Sequence, residues 1–186
     1  LEAFEEFVNK VPFYGVCALN AHDERLMELK KRMKKPFLTF GLGDSLKSQA
    51  MIEARDVKLL EASSEFDLYL EGKKMCNFTV NLPGEHNILN ALGAISLAHR
   101  MGIEFDLISK AIKEFNGVGR RFQSLHKTDK VEVIDDYGHH PTEIAMTLKT
   151  LRQTRKNKVI AVFEPHRYSR TRDCWNEFLH CFNDAD

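Results

Sequence analysis

The sequence lacks several features that would point to common classes of protein. Its 27 basic and 27 acidic side chains cancel, which argues against a general polyanion-binding protein but not against a local anion site. No apolar run approaches the length of a membrane span, and the first residues do not resemble a secretory signal. No Gly-x-x-x-x-Gly-Lys-Ser/Thr loop occurs in the 186 residues. The 43% hydrophobic and 29% charged content that remains is typical of a globular protein.

Cysteine pairs with metal-binding or redox spacing are also missing. The four cysteines form no Cys-x-x-Cys pair, and Cys174 and Cys181 lie two helical turns apart, too far to bridge within one helix. We therefore expect reduced thiols, as in a cytosolic protein. The sequence starts at Leu1 without a methionine, and we expect it to be part of a longer protein.

Hydrophobic periodicity predicts mixed α/β structure in the first half. A helix is expected at the opening, and another begins near residue 84 and ends at Gly102. Alternating apolar residues predict antiparallel strands between residues 56 and 82. Further predicted elements are strands at 11–19 and 37–40 and helices at 23–32 and 105–115.

Two glycine-containing segments have different interpretations. Residues 41–44 (Gly-Leu-Gly-Asp) predict a plain turn rather than a phosphate cradle, because the third glycine of a dinucleotide fingerprint is missing. Residues 116–119 (Asn-Gly-Val-Gly) predict a hinge. We therefore expect two domains, covering residues 1–117 and 118–186.

The second half contains two apolar runs, each followed by polar residues and then a helical pattern. Val131, Val133 and Ile134 predict one buried strand, and residues 159–163 predict another. Strand, polar turn and helix in succession indicate an open α/β sheet, in which ligands bind at the carboxyl ends of the strands. The polar side chains expected to face one crevice are Asp135, Asp136, His139, His140, His166, Arg167 and Arg170.

The acidic pair and the histidines allow more than one use. Asp135 and Asp136 could bind a ribose diol or a metal, or cap a helix. Adjacent histidines such as His139 and His140 rarely ligate one ion, and the sequence has no His-x-x-x-His pair. We therefore expect no metal site built by the protein.

Arginines and amides supply further candidate binding groups. Arg167 and Arg170 are three residues apart at a predicted helix start and could reach one anion. Arg121, directly after the hinge, could bind an anion or form a surface salt bridge. Asn87 and Asn90 share a helix face and could bind a purine edge. Alternatively, His86 or Asn87 caps that helix.

Four segments together resemble the Mur ligase family. They are Gly-Glu-His-Asn-x-x-Asn-Ala at 84–91, Gly-Val-x-Arg-Arg-Phe at 117–122, Asp-Asp-Tyr-Gly-His-His-Pro-Thr-Glu at 135–143 and Pro-His-Arg-Tyr-Ser-Arg-Thr at 165–171. The resemblance covers nearly the whole chain, and residues 136–141 are its most discriminating part. It implies an α/β fold, with the end of a central ATPase domain followed by a Rossmann-like C-terminal domain, both incomplete.

The resemblance also implies roles for individual residues. ATP binding falls to His86, Asn87, Asn90, Arg121 and Asp136. Substrate binding falls to Tyr137, His139, His166, Arg167 and Arg170, of which His139, Arg167 and Arg170 would be catalytic. Magnesium would be held mainly from outside these residues.

The implied reaction is ATP-dependent ligation of L-alanine to UDP-N-acetylmuramate through an acyl phosphate, in the bacterial cytoplasm, during peptidoglycan synthesis. Without a P-loop, the 186 residues alone are expected to be inactive. A ligase that recycles murein tripeptide is a related alternative, and a metal-dependent phosphoesterase built on Asp135, Asp136, His139 and His140 is an alternative of another class. The residues do not indicate nucleic-acid or membrane binding, or an oligomeric state.

Overall fold

A computed structural model describes residues 1–43 and 50–186 of the chain. In the first half the elements are α1 (Glu2–Asn9), β1 (Cys17–Asn20), α2 (Glu24–Lys30), β2 (Phe37–Leu42), β3 (Ile52–Leu59), β4 (Ser64–Leu70), β5 (Lys73–Val80), α3 (Glu85–Arg100) and α4 (Phe105–Glu114). In the second half they are β6 (Gln123–Lys127), β7 (Glu132–Asp135), α5 (Pro141–Thr154), α6 (Tyr168–Asp173) and α7 (Trp175–Phe178). No helix in the described part is long and apolar enough to cross a membrane.

The first half is a five-stranded mixed sheet in the order β1-β2-β3-β4-β5, with α3 and α4 packed against it. Strands β1, β2 and β3 are parallel, and β3, β4 and β5 are antiparallel. Glu71 and Gly72 connect β4 to β5 with positive φ values of 49° and 81°, which suit a two-residue hairpin. The predicted antiparallel strands and both predicted helices after residue 84 are confirmed.

The core of this half lies between the sheet and α3. Phe66 and Phe78 stack with ring centroids 5.6 Å apart, and both are fully buried. Ile88, Leu92 and Ile95 recur along one face of α3 and are also fully buried, as their spacing predicts. This packing holds the first turns of α3 at a fixed position beside β5.

The predicted strand at 11–19 is wrong over most of its length, because only Cys17 onward joins the sheet. Gly15 donates a backbone hydrogen bond to the carbonyl of Pro12 (2.9 Å), so the chain turns before β1 begins. Phe13 and Tyr14 are consequently exposed. The segment at 41–44 is partly in β2, and Asp44 lies outside the described residues.

The predicted strand at 159–163 is also wrong, since no strand forms there. Val159 and Phe163 pack with α5 and α7, but Ile160 and Val162 are 72% and 97% exposed. A strand needs a neighbour to complete its hydrogen bonds, and none within the described residues lies beside this segment. The other predicted strand does form as β7, but it pairs only with β6 in an antiparallel ribbon, and Val131 and Val133 are exposed rather than buried.

Among the described residues, two groups of contacts join the halves. The first, here called the Glu61–Arg155 cluster, consists of Glu61 from the β3–β4 connection with Lys127, Glu132 and Arg155. Lys127 Nζ lies 2.8 Å from Glu61 Oε1, and Arg155 donates to Glu132 Oε2 (3.0 Å) and to the Glu61 carbonyl (2.7 Å). The second group joins α5 to the start of α3, where Lys149 Nζ lies 3.5 Å from Glu85 Oε2.

Candidate functional site

A cleft of about 810 Å³ lies between the two halves. Its wall from the first half is the outer face of α3, and its opposite wall comes from the first turns of α5 and from Val118, Arg121, Phe122 and Asp136. Each of the five residues predicted to bind ATP lines this cleft: His86, Asn87, Asn90, Arg121 and Asp136.

The start of α3 is fixed by a glycine rather than by a polar cap. Gly84 is the N-cap with φ 97°, and a Cβ there would meet Thr150 Oγ1 at 2.5 Å. No side chain caps this helix, so the alternative in which His86 or Asn87 does so is wrong. Asn87 Nδ2 instead donates to the carbonyl of Pro83 (2.8 Å). Asn90, one turn later, is exposed to the cleft.

His86 is half-buried beside α5, with Nδ1 3.5 Å from Thr150 Oγ1. Burial lowers the pKa of His86 from its ordinary value of 6.5, although the carboxylates of Asp136 and Glu85 act in the opposite direction. The imidazole is therefore neutral at pH 7 and offers one donor and one acceptor nitrogen.

On the opposite wall, the carboxylate of Asp136 connects the loop that contains Phe122 to the loop that contains Gly138. Its Oδ2 accepts from Phe122 N (2.9 Å) and its Oδ1 accepts from Gly138 N (2.7 Å). Arg120 and Phe122 have φ values of 60° and 48°, a backbone conformation that non-glycine residues rarely adopt. Strain of this kind commonly marks functional sites. The loop containing Arg121 is thus held against the cleft by a carboxylate that also faces it.

The helix α5 begins with a capping box. His140 is the N-cap, Pro141 is the first helical residue, and Glu143 Oε2 accepts from the backbone N–H groups of His139 and His140, both at 3.0 Å. Burial opposes the ionisation of Glu143, but those hydrogen bonds and the nearby His139 and Arg121 outweigh it and hold its pKa below the ordinary value. Asp135 and Asp136 are therefore not the cap of this helix.

Aromatic and cationic side chains group beside Glu143. Arg121 Nη1 lies 3.5 Å from Glu143 Oε1. The guanidinium groups of Arg120 and Arg121 lie 5.2 and 5.7 Å from the centre of the Tyr137 ring, which meets His139 edge-on at 5.1 Å. These contacts place the Tyr137–His139 loop next to the arginine that lines the cleft.

The remaining predicted residues, His166, Arg167 and Arg170, do not line the cleft. Arg167 precedes α6 with φ 73°, and Arg170 donates to the carbonyl of His166 (2.9 Å). Helix α6 nevertheless ends beside the histidine loop, because Cys174 Sγ lies 3.6 Å from His140 Nε2. The structure thus brings the ATP set together and leaves these three residues on a neighbouring surface.

Sequence reasoning missed the apolar lining of the cleft. Val80, Leu82, Ile112 and Phe115 contribute to it from the first half, and Met146 from α5. The small residues Ala91 and Ala94 of α3 also line the cleft. A row of small residues next to polar amides on one helix face could have indicated a flat wall for a planar ligand.

Among residues 1–43 and 50–186, no set of three or more His, Cys, Asp or Glu side chains could hold a metal ion. All four cysteines are free.

Comparisons with known proteins identify both halves. The Mur ligase middle domain matches residues 1–98, and the Mur ligase, glutamate ligase domain matches residues 120–186. The UDP-N-acetylmuramate–L-alanine ligase of Trichlorobacter lovleyi is 41% identical over 186 residues, which is 100% of this chain and 40% of that protein. The chain thus spans about two fifths of the length of this relative.

Solved structures agree. The UDP-N-acetylmuramate-alanine ligase of Thermotoga maritima superposes with a TM-score of 0.72 at 28% identity, over 91% of this chain and 36% of that one. A murein peptide ligase from Psychrobacter arcticus gives a TM-score of 0.64 at 25% identity, over 89% of this chain and 34% of that one. These matches confirm the expected α/β class and the two-part organisation into middle and C-terminal ligase domains.

Proposed function

The chain belongs to the Mur ligase family, and we propose that it forms the adenosine-binding and amino-acid-binding part of an ATP-dependent ligase that joins L-alanine to UDP-N-acetylmuramate in peptidoglycan synthesis. The observation that carries the proposal is the cleft, in which all five candidate ATP residues meet from two domains. The relative from Trichlorobacter lovleyi, which is named for this reaction, supports the choice of substrates. A location in the bacterial cytoplasm is part of the same proposal.

The cleft suits an adenosine group. Its apolar lining, with Ala91 and Ala94 on one wall, offers a flat surface to a purine ring. The exposed amide of Asn90 and the neutral imidazole of His86 can hydrogen-bond the purine edge. Asp136 can accept from ribose hydroxyls, and Arg121 can bind phosphate from the second half.

The amino-acid side would lie around Tyr137, His139, His166, Arg167 and Arg170. In the proposed reaction, a muramoyl carboxylate attacks the γ-phosphate of ATP and displaces ADP. The amine of L-alanine then attacks the carbonyl carbon of the resulting acyl phosphate, which expels phosphate and leaves an amide. Arg167 and Arg170 would stabilise the developing oxyanion, and His139 would accept the proton that the amine loses. A magnesium ion would neutralise phosphate charge, and the described residues supply no complete ligand set for it.

Two domains at 1–117 and 118–186 fit this scheme. Gly117 has φ 89°, and a Cβ there would meet Leu82 Cδ2 at 3.0 Å, so the connection requires glycine. Rotation at this point would change the width of the cleft as substrates bind. Because the sequence contains no P-loop, we propose that the 186 residues alone do not turn over.

A murein-peptide ligase is the second candidate, favoured by the likeness to the Psychrobacter arcticus structure. The test is release of phosphate from ATP by the protein in a form that includes a P-loop, with UDP-N-acetylmuramate plus L-alanine or plus murein tripeptide. Release that requires L-alanine supports the proposal, and release that requires only the tripeptide supports the second candidate. Phosphate release that needs a bound transition metal but no amino acid would instead support a phosphoesterase.

A further inference from the structure

Glu143 contacts both parts of the proposed site. Its Oε2 accepts from the backbone of His139 and His140 at 3.0 Å, and lies 3.8 Å from His139 Nδ1. Its Oε1 lies 3.5 Å from Arg121 Nη1. Glu143 therefore links Arg121, which lines the cleft, to the Tyr137–His139 loop outside the cleft.

The hydrogen bonds of His139 define which of its nitrogens is basic. Nδ1 lies 3.0 Å from the carbonyl oxygen of Tyr137. A carbonyl oxygen can only accept, so Nδ1 carries a proton. In the neutral ring the lone pair is then on Nε2, which is the nitrogen able to accept a proton. A carboxylate on the Nδ1 side favours this tautomer and stabilises the imidazolium that forms afterwards.

Other charged groups lie near Glu143 and His139 and affect both residues. Arg121 shares the Glu143 carboxylate and, with Arg120, faces the Tyr137 ring against which His139 packs. Asp136 holds Gly138 within the same loop. While Arg121 remains paired with Glu143, its positive charge offsets part of the field of that carboxylate at His139. Release of Arg121 towards a phosphate would leave more of this field acting on His139.

From this arrangement, and resting on the proposed function, we propose that Glu143 is a positioning residue that keeps Nε2 of His139 available as the proton acceptor. Through its contact with Arg121, Glu143 also couples His139 to the binding of nucleotide in the cleft. The proton leaving the amine of the amino acid goes to Nε2, and Glu143 itself takes no proton. Binding of ATP would draw Arg121 from Glu143 to a phosphate. The carboxylate of Glu143 would then act more strongly on His139 at the stage when the acyl phosphate is present.

The first test needs no enzymatic activity. The tautomer of the neutral His139 ring is determined by NMR from its ring-nitrogen chemical shifts, in the wild-type chain and in Glu143→Gln, which keeps an oxygen to accept from the backbone. The exposed Glu104→Gln, at the start of α4, is the matched control. We expect the proton to lie on Nδ1 in the wild type and the control, and the share of the tautomer with its proton on Nε2 to rise in Glu143→Gln. An unchanged tautomer share in Glu143→Gln would overturn the proposal.

The second test measures ligation kinetics with the chain in a form that includes a P-loop. Glu143→Gln is expected to lower kcat about tenfold, to change KM for ATP less than about twofold, and to move the acidic limb of the pH–rate profile to lower pH. Glu143→Asp, which keeps the charge, should recover part of kcat. Equal loss of kcat in both variants with an unmoved acidic limb would assign Glu143 a merely structural role and overturn the proposal. If the wild type itself shows no L-alanine-dependent phosphate release, the proposed function fails, while the NMR measurement of the His139 tautomer still decides the role of Glu143.

Discussion

Replacing Arg155 with methionine should loosen the attachment of the second half to the first. Arg155 is the centre of the Glu61–Arg155 cluster, and its side chain is only 15% exposed. Methionine keeps much of the apolar stem and removes the guanidinium, so the change tests the charged contacts rather than packing. Burial opposes the ionisation of Glu132, but the contacts with Arg155 and Lys127 outweigh it and keep the pKa of this carboxyl below its ordinary value.

The magnitude follows from what the substitution leaves behind. The carboxylate of Glu132, 18% exposed, loses its 3.0 Å hydrogen bond and keeps the Ser124 side chain and Lys127, whose Nζ is 3.9 Å away. Hydrogen bonds to charged groups contribute about 1.5–3 kcal/mol, and the exposed side of the cluster is screened by solvent. We expect a loss of about 2 kcal/mol in the free energy of unfolding. For a chain of this size that corresponds to about 4–8 °C in Tm.

The pH dependence gives a second signature. A carboxyl group whose pKa is lowered in the folded state contributes stability above its unfolded pKa and loses that contribution as pH falls through its folded pKa. The ordinary value for Glu132 is 4.5. The difference between wild type and Arg155→Met should therefore be full at pH 7 and shrink as the pH falls below 4.5 through the lower, folded-state pKa.

The assay is urea unfolding at pH 7 and at a pH below 4.5. Unfolding is followed by the fluorescence of Trp175, the single tryptophan of the chain. Arg172→Met is the matched control, because the Arg172 side chain is 78% exposed and pairs with its neighbour Asp173. The control should change stability by less than about 0.5 kcal/mol. Equal stability of the two variants at pH 7 would refute the reasoning.

Three further predictions concern the core, a turn and the cleft. Phe66→Ala should cost about 3–5 kcal/mol in urea unfolding, whereas the exposed Phe13→Ala should cost under about 0.5 kcal/mol, and similar losses would contradict the described core. Gly72→Ala should lower the free energy of unfolding, obtained from thermal unfolding, by about 1 kcal/mol, because a φ of 81° strains a residue that has a Cβ. No loss would contradict the described turn between β4 and β5. Because burial lowers the pKa of His86 below 6.5, stability should fall as the pH drops below 6.5. His86→Gln should reduce that fall, and unfolding curves from pH 7 to 5.5 of equal pH dependence would contradict it.

The sequence predicted elements well where their stabilising partners are close along the chain. The β4–β5 hairpin is specified by alternation and by the residues at its turn, and α5 by Pro141 and its apolar face. The failed strand at 159–163 has the right composition but no neighbouring strand in the described part. The apolar lining of the cleft, where Val80 meets Met146, could not be read from the sequence because its residues come from distant segments.

In the candidate site too, the sequence predicted some features and not others. Family resemblance named Asn90 and Asp136, and they meet in the cleft although 46 positions separate them along the sequence. The link through Glu143 was not predicted, because it depends on how the capping box of α5 turns that carboxylate towards Arg121. Local patterns indicated which polar residues to consider, and tertiary contacts determined which of them lie next to each other.

The central claim is that residues from both halves bind one adenine nucleotide in the cleft. Isothermal titration with Mg-ATP tests it most directly, using the chain in a form that includes a P-loop and the variants Asn90→Ala and Arg121→Ala, one from each wall. The account predicts that each variant raises Kd at least about tenfold, equivalent to about 1.4 kcal/mol, while Arg172→Ala leaves it unchanged. Wild-type affinity in both cleft variants would contradict the account.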